Sequence, residues 1–335
     1  MILKKAVFIV ADKIKDRDFS PATQEEIGKH VEILYPFLNK QNYTEHWDMI
    51  EQADIIFSGI GAPVMDKTFL DKAPHLEAIF YAAGTMKHIF TDEEVWKRDI
   101  TVANSNYPNA IPVAEFTLAQ ILLSLKNSWF LARKVREEKH FTNGIDYPIA
   151  GVYNSTVGII SYSTIGKMVV DLLKNFQVDI ALYDPFVTKE QAEEIGVQLC
   201  SLEEIFEISD VVSLHAPRLP ETLDMITGEH IRSMKTNATF INTARGEIVR
   251  EQEMIEALQE RSDLTALLDV TAPEPPESDS PLYTMDNVFL TPHIAGSVGK
   301  ERQRLGEYVL EELKRYLTGE PLRFEVTKEL FSNMA

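Results

Sequence analysis

Arg245, Glu274 and His293 are the residues of this chain whose types and settings could do chemistry. A guanidinium can hold a carboxylate as a rigid fork, and an imidazole beside a carboxylate can move a proton. Arg245 lies in Asn242-Thr243-Ala244-Arg245-Gly246, after the apolar run Ala238-Thr239-Phe240-Ile241. Glu274 lies in Thr271-Ala272-Pro273-Glu274-Pro275-Pro276, after Ala266-Leu267-Leu268-Asp269-Val270. His293 lies in Thr291-Pro292-His293-Ile294-Ala295-Gly296, after Val288-Phe289-Leu290. Each reads as a short buried strand that ends, with the reactive residue on the following loop. Open α/β sheets place their ligand sites there.

The elements that must position these loops form a series. Strands are predicted over 156–160, 179–183, 211–214, 239–242, 264–270 and 287–290, with helical segments between most of them. That rhythm predicts a parallel, doubly wound sheet. At its start, Thr156-Val157-Gly158-Ile159-Ile160 runs into Ser161-Tyr162-Ser163-Thr164-Ile165-Gly166. A helix follows with apolar residues at 165, 168, 169, 172 and 173. This is the context of a dinucleotide fingerprint, but serine stands at the first two glycine positions. Asp184 comes 18 residues after Gly166 and ends the next predicted strand. An acid there accepts hydrogen bonds from ribose hydroxyls and repels a 2′-phosphate, which favours NAD over NADP. The serines add bulk where backbone normally approaches pyrophosphate, or they offer hydroxyls to it. An ordinary strand–turn–helix with no nucleotide is the plain alternative.

Residues 1–105 predict a smaller α/β unit, with strands at 7–10, 55–58 and 78–81 and helices at 21–29 and 91–96. A helix over 109–137 would be capped by Asn109, with Pro112 in its first turn. It is apolar on nearly every face to Leu131, so it is expected to be buried. A last helix, about 299–317, would stop at Gly319.

Composition narrows the partners. The chain has 335 residues, enough for two domains, and a net charge of −19. That balance argues against nucleic acid and anionic membrane. It also repels an acidic substrate at long range, so a carboxylate site must be locally basic, and Arg245 is the obvious supply. The single cysteine, Cys200, allows no internal disulfide, fits the cytoplasm and reads as a buried structural thiol. The histidines are too scattered for a metal site, and no catalytic metal is expected.

The three strand-end motifs and the fingerprint closely resemble the D-isomer-specific 2-hydroxyacid dehydrogenase family, from about Ala73 to Gly319. The resemblance implies a Rossmann-type NAD-binding domain over 108–301. It also implies a flavodoxin-like substrate domain made of 1–107 and 302–335. It implies reduction of a small 2-keto acid to the D-2-hydroxy acid, with Arg245 on the substrate and Glu274 and His293 as the proton-transfer pair. By the same match, Ser161, Ser163, Thr164, Ile165, Gly166 and Asp184 hold the dinucleotide. Ala216, Thr222 and Thr243 line its nicotinamide and phosphates, and Asp269 meets its carboxamide. Asp269 could equally be a loop-capping acid. Ala83-Gly84-Thr85 matches a turn whose amides bind the substrate carboxylate, and Glu115 matches a position read as structural, tying its helix. The continuation Met86-Lys87-His88-Ile89-Phe90 departs from the family pattern and leaves the substrate open. A homodimer is the implied assembly. Taken singly, Arg245 could be a surface ion-pair residue, Glu274 solvated and His293 a helix cap. The competing function is a dinucleotide-sensing binding protein on the same fold, which NADH oxidation with 2-keto acids would exclude.

Overall fold

The computed structural model describes residues 3–91, 93–141 and 149–332. The chain forms two compact units, Met1–Ala110 with Ser297–Ala335, and Ile111–Gly296.

The first unit is built on five parallel strands in the order β2-β1-β3-β4-β5. They are β1 (Lys5–Ile9), β2 (Glu32–Ile33), β3 (Ile55–Ser58), β4 (Ala78–Tyr81) and β5 (Thr101–Asn104). β3 and β4 are buried along their whole length, as expected for strands covered on both faces. Phe8, Phe57 and Phe80 pack on one face with Leu305, Val309 and Leu313 of the helix Glu301–Thr318. Val7, Ile56 and Ile79 pack on the other. That helix is what brings the C-terminal segment back. Arg302 donates to both carboxylate oxygens of buried Asp18, at 2.6 and 2.7 Å. Ser105 donates to the Leu305 carbonyl at 2.9 Å. Gly306 is obligatory, because a Cβ there would overlap the Asp18 carbonyl. The helix ends at Gly319 with φ +71, in the left-handed region that glycine adopts freely.

The second unit carries seven parallel strands in the order β12-β11-β10-β9-β6-β7-β8. They are β6 (Ser155–Ile160), β7 (Val178–Tyr183), β8 (Gln198–Leu199), β9 (Val211–Leu214), β10 (Thr239–Asn242), β11 (Thr265–Leu268) and β12 (Val288–Leu290). The sheet is therefore doubly wound, as the strand rhythm predicts. Successive strands run outward from β6 on one side as far as β8. The chain then crosses to β9 on the other side and runs outward to β12. The reversal falls between β6 and β9, where a doubly wound sheet opens a crevice at its carboxyl edge.

Some expectations are corrected. The helix predicted over 109–137 starts three residues earlier and is two helices, Asn106–Leu125 and Ser128–Glu138. Asn127 breaks it with φ +50. Asn109 is therefore not a cap. Its side-chain oxygen accepts the Ser297 amide at 2.9 Å. Pro112 lies inside the helix, not in its first turn. The longer helix is not buried all round, because Glu115, Ala119 and Leu123 form an exposed i, i+4, i+8 stripe. Glu115 makes no hydrogen bond or ion pair among the described residues, so a tying role is not seen there. The helix predicted over 91–96 covers Glu94–Lys97, and residue 92 lies outside the described residues. Three strands lie outside those predicted: β5, and the two-residue β2 and β8, which are too short to show a period. Cys200 is buried, and that burial pushes its thiol up.

Candidate active site

At the β6–β9 crevice, the fingerprint segment closes onto the end of β9. The helix Thr164–Leu173 is capped by Ser163, whose hydroxyl accepts the Gly166 amide at 3.3 Å. The same hydroxyl donates to the His215 carbonyl at 2.8 Å. Its hydrogen is thus committed to the protein. Gly166 is required, since a Cβ would overlap the Ser161 carbonyl. The amides of Thr164 and Ile165 open the helix and have no intrahelical acceptor, so they form an anion-binding end. Ser161 sits at φ +79, a conformation natural to glycine and strained for serine. Asp184, just after β7, accepts the Tyr162 amide at 2.7 Å, the Phe186 amide at 2.8 Å and the Ser161 hydroxyl at 3.4 Å. A carboxylate has about four lone-pair sites, so this one can still receive a ribose hydroxyl. The donor set fits a dinucleotide: a free helix N-terminus, a close glycine and an acid at the next strand end.

The two serines are expected to behave oppositely. Ser161→Gly should raise stability by about 0.5–1 kcal/mol by relieving the positive φ. Ser163→Gly should lower it by a few tenths to about 1 kcal/mol through the lost cap and the bond to His215. Thermal melts of the two single variants check this; a lower Tm for Ser161→Gly would contradict the strain argument.

Across the crevice, the ends of β9 to β12 assemble the remaining residues. Ala216 is buried, and the Thr222 hydroxyl closes its own loop by donating to the Pro217 carbonyl at 2.6 Å. Thr243 and Asp269 help line a cavity of about 140 Å³, with Trp129, Phe289 and Thr291. The Thr243 hydroxyl is 3.1 Å from that of Thr117.

Arg245 follows β10. Its guanidinium donates to the Ala244 carbonyl at 2.6 Å, and Asn242 donates to the Arg245 carbonyl at 3.0 Å. Burial pushes the guanidinium below its usual value, opposed by the nearby carboxylates of Glu247 and Glu274. The next residue must be glycine, because a Cβ on Gly246 would overlap the Thr271 carbonyl. That contact presses the Arg245 loop onto the Glu274 loop. The Glu274 loop is held in turn by Glu251, which accepts the Ala272 amide at 2.8 Å.

His293 and Glu274 meet, with Nδ1 and Oε1 2.6 Å apart. An ionised carboxylate only accepts, so Nδ1 donates, and Nε2 is left as the nitrogen that exchanges a proton with a ligand. His293 has φ +52, and its amide is bound by the Asp269 and Thr291 carbonyls, both at 3.0 Å. The Asp269 side chain fixes the rest of this loop. It accepts the Thr291 hydroxyl at 2.5 Å and the Ile294 and Ala295 amides at 2.9 Å each. Asp269 therefore acts as the loop-capping acid, whatever else it touches. No helix directly follows His293, so a capping role for the histidine is not seen.

A family model for the D-isomer specific 2-hydroxyacid dehydrogenase NAD-binding domain matches residues 118–295, over half of the chain. A glyoxylate reductase from Korarchaeum cryptofilum is 33% identical over 275 residues, 82% of each chain. The chain belongs to the D-isomer specific 2-hydroxyacid dehydrogenase family. A D-3-phosphoglycerate dehydrogenase from Methanocaldococcus jannaschii is 35% identical over 301 residues, 88% of this chain and 55% of that protein. The chain thus spans about half the length of that relative. Two solved structures share its fold. One is a phosphoglycerate oxidoreductase from Rhizobium etli (TM-score 0.81, 22% identity, covering 97% of this chain and 99% of that one). The other is a D-lactate dehydrogenase with NAD+ from Lactobacillus jensenii (TM-score 0.79, 24% identity, covering 97% and 100%).

Within this family member, the sequence reading missed Glu251 and the His215 backbone as supports of the site. Glu251 shows only as a first-turn acid, unremarked among 52 acidic residues. His215 is fully buried, its Nε2 2.9 Å from the Ser213 hydroxyl, and burial holds its imidazole down to about 3. It stays neutral and is not an acid–base group. In the first unit, the turn Ala83-Gly84-Thr85 follows β4, and Asn104 donates to the Gly84 carbonyl at 3.2 Å. Gly84 packs near the Asn106 and Asn109 side chains, within ordinary contact of where a Cβ would stand.

Proposed function

We propose that this chain is an NAD-dependent oxidoreductase that interconverts a small 2-keto acid and its D-2-hydroxy acid. The observation that carries this is the His293–Glu274 contact of 2.6 Å on the loops after β11 and β12, with Arg245 presented after β10. The bound nicotinamide dinucleotide would supply or accept the hydride. Ser161, Ser163, Thr164, Ile165, Gly166 and Asp184 would hold it, with Ala216, Thr222, Thr243 and Asp269 at its nicotinamide end. Arg245 would bind the carboxylate and the 2-oxygen, and Ala83, Gly84 and Thr85 would offer backbone amides for substrate binding. His293, protonated, donates from Nε2 to the 2-oxygen as it gains negative charge; in the oxidative direction Nε2 takes that proton back. Glu274 holds the ring and stabilises its cationic form. Residues 108–301 would serve the dinucleotide, and residues 1–107 with 302–335 the substrate. NADH oxidation assayed against glyoxylate, hydroxypyruvate, pyruvate and bulkier 2-keto acids tests this. Tight NADH binding without turnover of any of them would favour a dinucleotide-sensing protein instead.

Asp184 sets the cofactor choice in this reading. Asp184→Ser is expected to weaken NADH binding and improve NADPH binding, each by roughly tenfold, as a ribose acceptor is lost and a charge facing a 2′-phosphate is removed. Fluorescence titration of both nucleotides decides it; an unaltered preference would remove Asp184 from ribose recognition. A homodimer is also proposed. Leu123 is 42% exposed beside exposed Ala119, on the stripe that also carries Glu115, and a second copy would cover the apolar end of this stripe. Sedimentation of the wild type and of Leu123→Glu checks this.

A further inference from the structure

The loop that carries Glu274 is gripped at two consecutive residues, and both grips come from one segment of chain. On one side, Gly246 lies so close to Thr271 that a Cβ would stand 2.0 Å from its carbonyl carbon and 2.1 Å from its oxygen. On the other, Glu251 accepts the Ala272 amide at 2.8 Å. Gly246 directly follows Arg245, and Glu251 opens the helix Glu251–Glu260. Residues 245–251 thus carry the arginine at one end and the clamp on the Glu274 loop at the other.

This segment is stiff. Gly246–Ile248 is a short 3-10 helix, closed by the Val249 amide on the Gly246 carbonyl at 3.0 Å. The Ile226 amide donates to the Ile248 carbonyl at 3.0 Å, and the Arg250 amide to the Ile226 carbonyl at 2.8 Å. Ile248 and Val249 are buried in the core of the second unit. Glu251 is half-buried and, among the described residues, makes no ion pair. Burial raises its carboxyl above the ordinary value, opposed by the bond from the Ala272 amide. Beyond the clamp, the Thr271 hydroxyl donates to the Pro273 carbonyl at 2.8 Å, and Glu274 then reaches His293 at 2.6 Å. The Glu274 side chain is exposed, so the backbone of its loop, and not packing around the carboxylate, decides where it points.

We infer that Glu251 is a positioning residue for proton transfer: by holding the Ala272 amide it fixes the Glu274 loop, and through it His293, in place relative to Arg245. This rests on the 2-keto acid reading above. The test is steady-state reduction of the 2-keto acid that wild type turns over fastest, with NADH titration by fluorescence. It compares Glu251→Ala, Glu251→Leu and Glu251→Gln, and combines Glu251→Ala with His293→Ala. Alanine and leucine, which offer no acceptor, are expected to lower kcat about tenfold through misplacement of the proton-transfer pair. KM for the keto acid and NADH affinity should stay within about twofold of wild type. Glutamine keeps an acceptor oxygen at the same reach and should hold kcat within about threefold. In the His293→Ala background, Glu251→Ala should cost less than about twofold more, because the two residues act through one unit. The inference is overturned if alanine and leucine keep full turnover, or if glutamine is as damaging as they are. It is equally overturned if Glu251→Ala costs its full factor with His293 already removed, which would mark a general loss of structure. If wild type binds NADH but reduces no 2-keto acid, the proposed function itself falls, and this role with it.

Discussion

His293→Ala is expected to lower kcat for 2-keto acid reduction by about a hundredfold or more, the usual contribution of general acid catalysis, while NADH binding is retained. The size follows from the geometry. Glu274 occupies Nδ1 at 2.6 Å, so Nε2 is the one nitrogen free to give a proton. Within this unit, the nearby histidine His215 is buried and neutral and cannot take over. The loop would survive the substitution, since its shape is set by the Asp269 carboxylate and not by the imidazole. Loss of activity would therefore report chemistry and not collapse of the site. Stopped-flow reduction of a 2-keto acid together with NADH fluorescence titration measures both sides. Full turnover in the alanine variant would take His293 out of the mechanism.

Arg245→Lys is expected to cost about 2–3 kcal/mol in transition-state binding, or roughly a hundredfold in kcat/KM. Two parallel donors become a single ammonium, which cannot hold a carboxylate and the 2-oxygen in one plane. Desolvation adds to this. Burial already pulls the arginine below its usual value, and arginine starts so high that it keeps its charge. A lysine in the same place has less margin and tends to lose its proton. The guanidinium also donates to the Ala244 carbonyl at 2.6 Å, and one rigid plane serves both this bond and the fork, which the single nitrogen of a lysine cannot reproduce. Steady-state kinetics over a range of keto acid concentrations checks the prediction. Wild-type kcat/KM in the lysine variant would sink the carboxylate role.

Much of this protein is legible in its sequence because the information is local. Strands buried on both faces are continuous apolar runs, so β3, β4, β9 and β10 show their bounds directly. Arg245, Glu274 and His293 stand out because each follows such a run on a loop of glycine and proline. What the sequence could not decide depends on partners far along the chain. Gly246 is needed because the Thr271 carbonyl, 25 residues on, presses against it. Asp269 looks like a ligand contact or a cap until the tertiary structure wraps residues 291–295 around its carboxylate. Asn109 lies inside the helix that begins at Asn106, and its side chain is used by Ser297, at a separation of 188 residues. The return of the C-terminal helix to the first unit rests on Arg302 and Asp18, 284 residues apart. Periodicity and loop composition name the strands and the reactive side chains; close approach and long-range hydrogen bonds decide which of them meet.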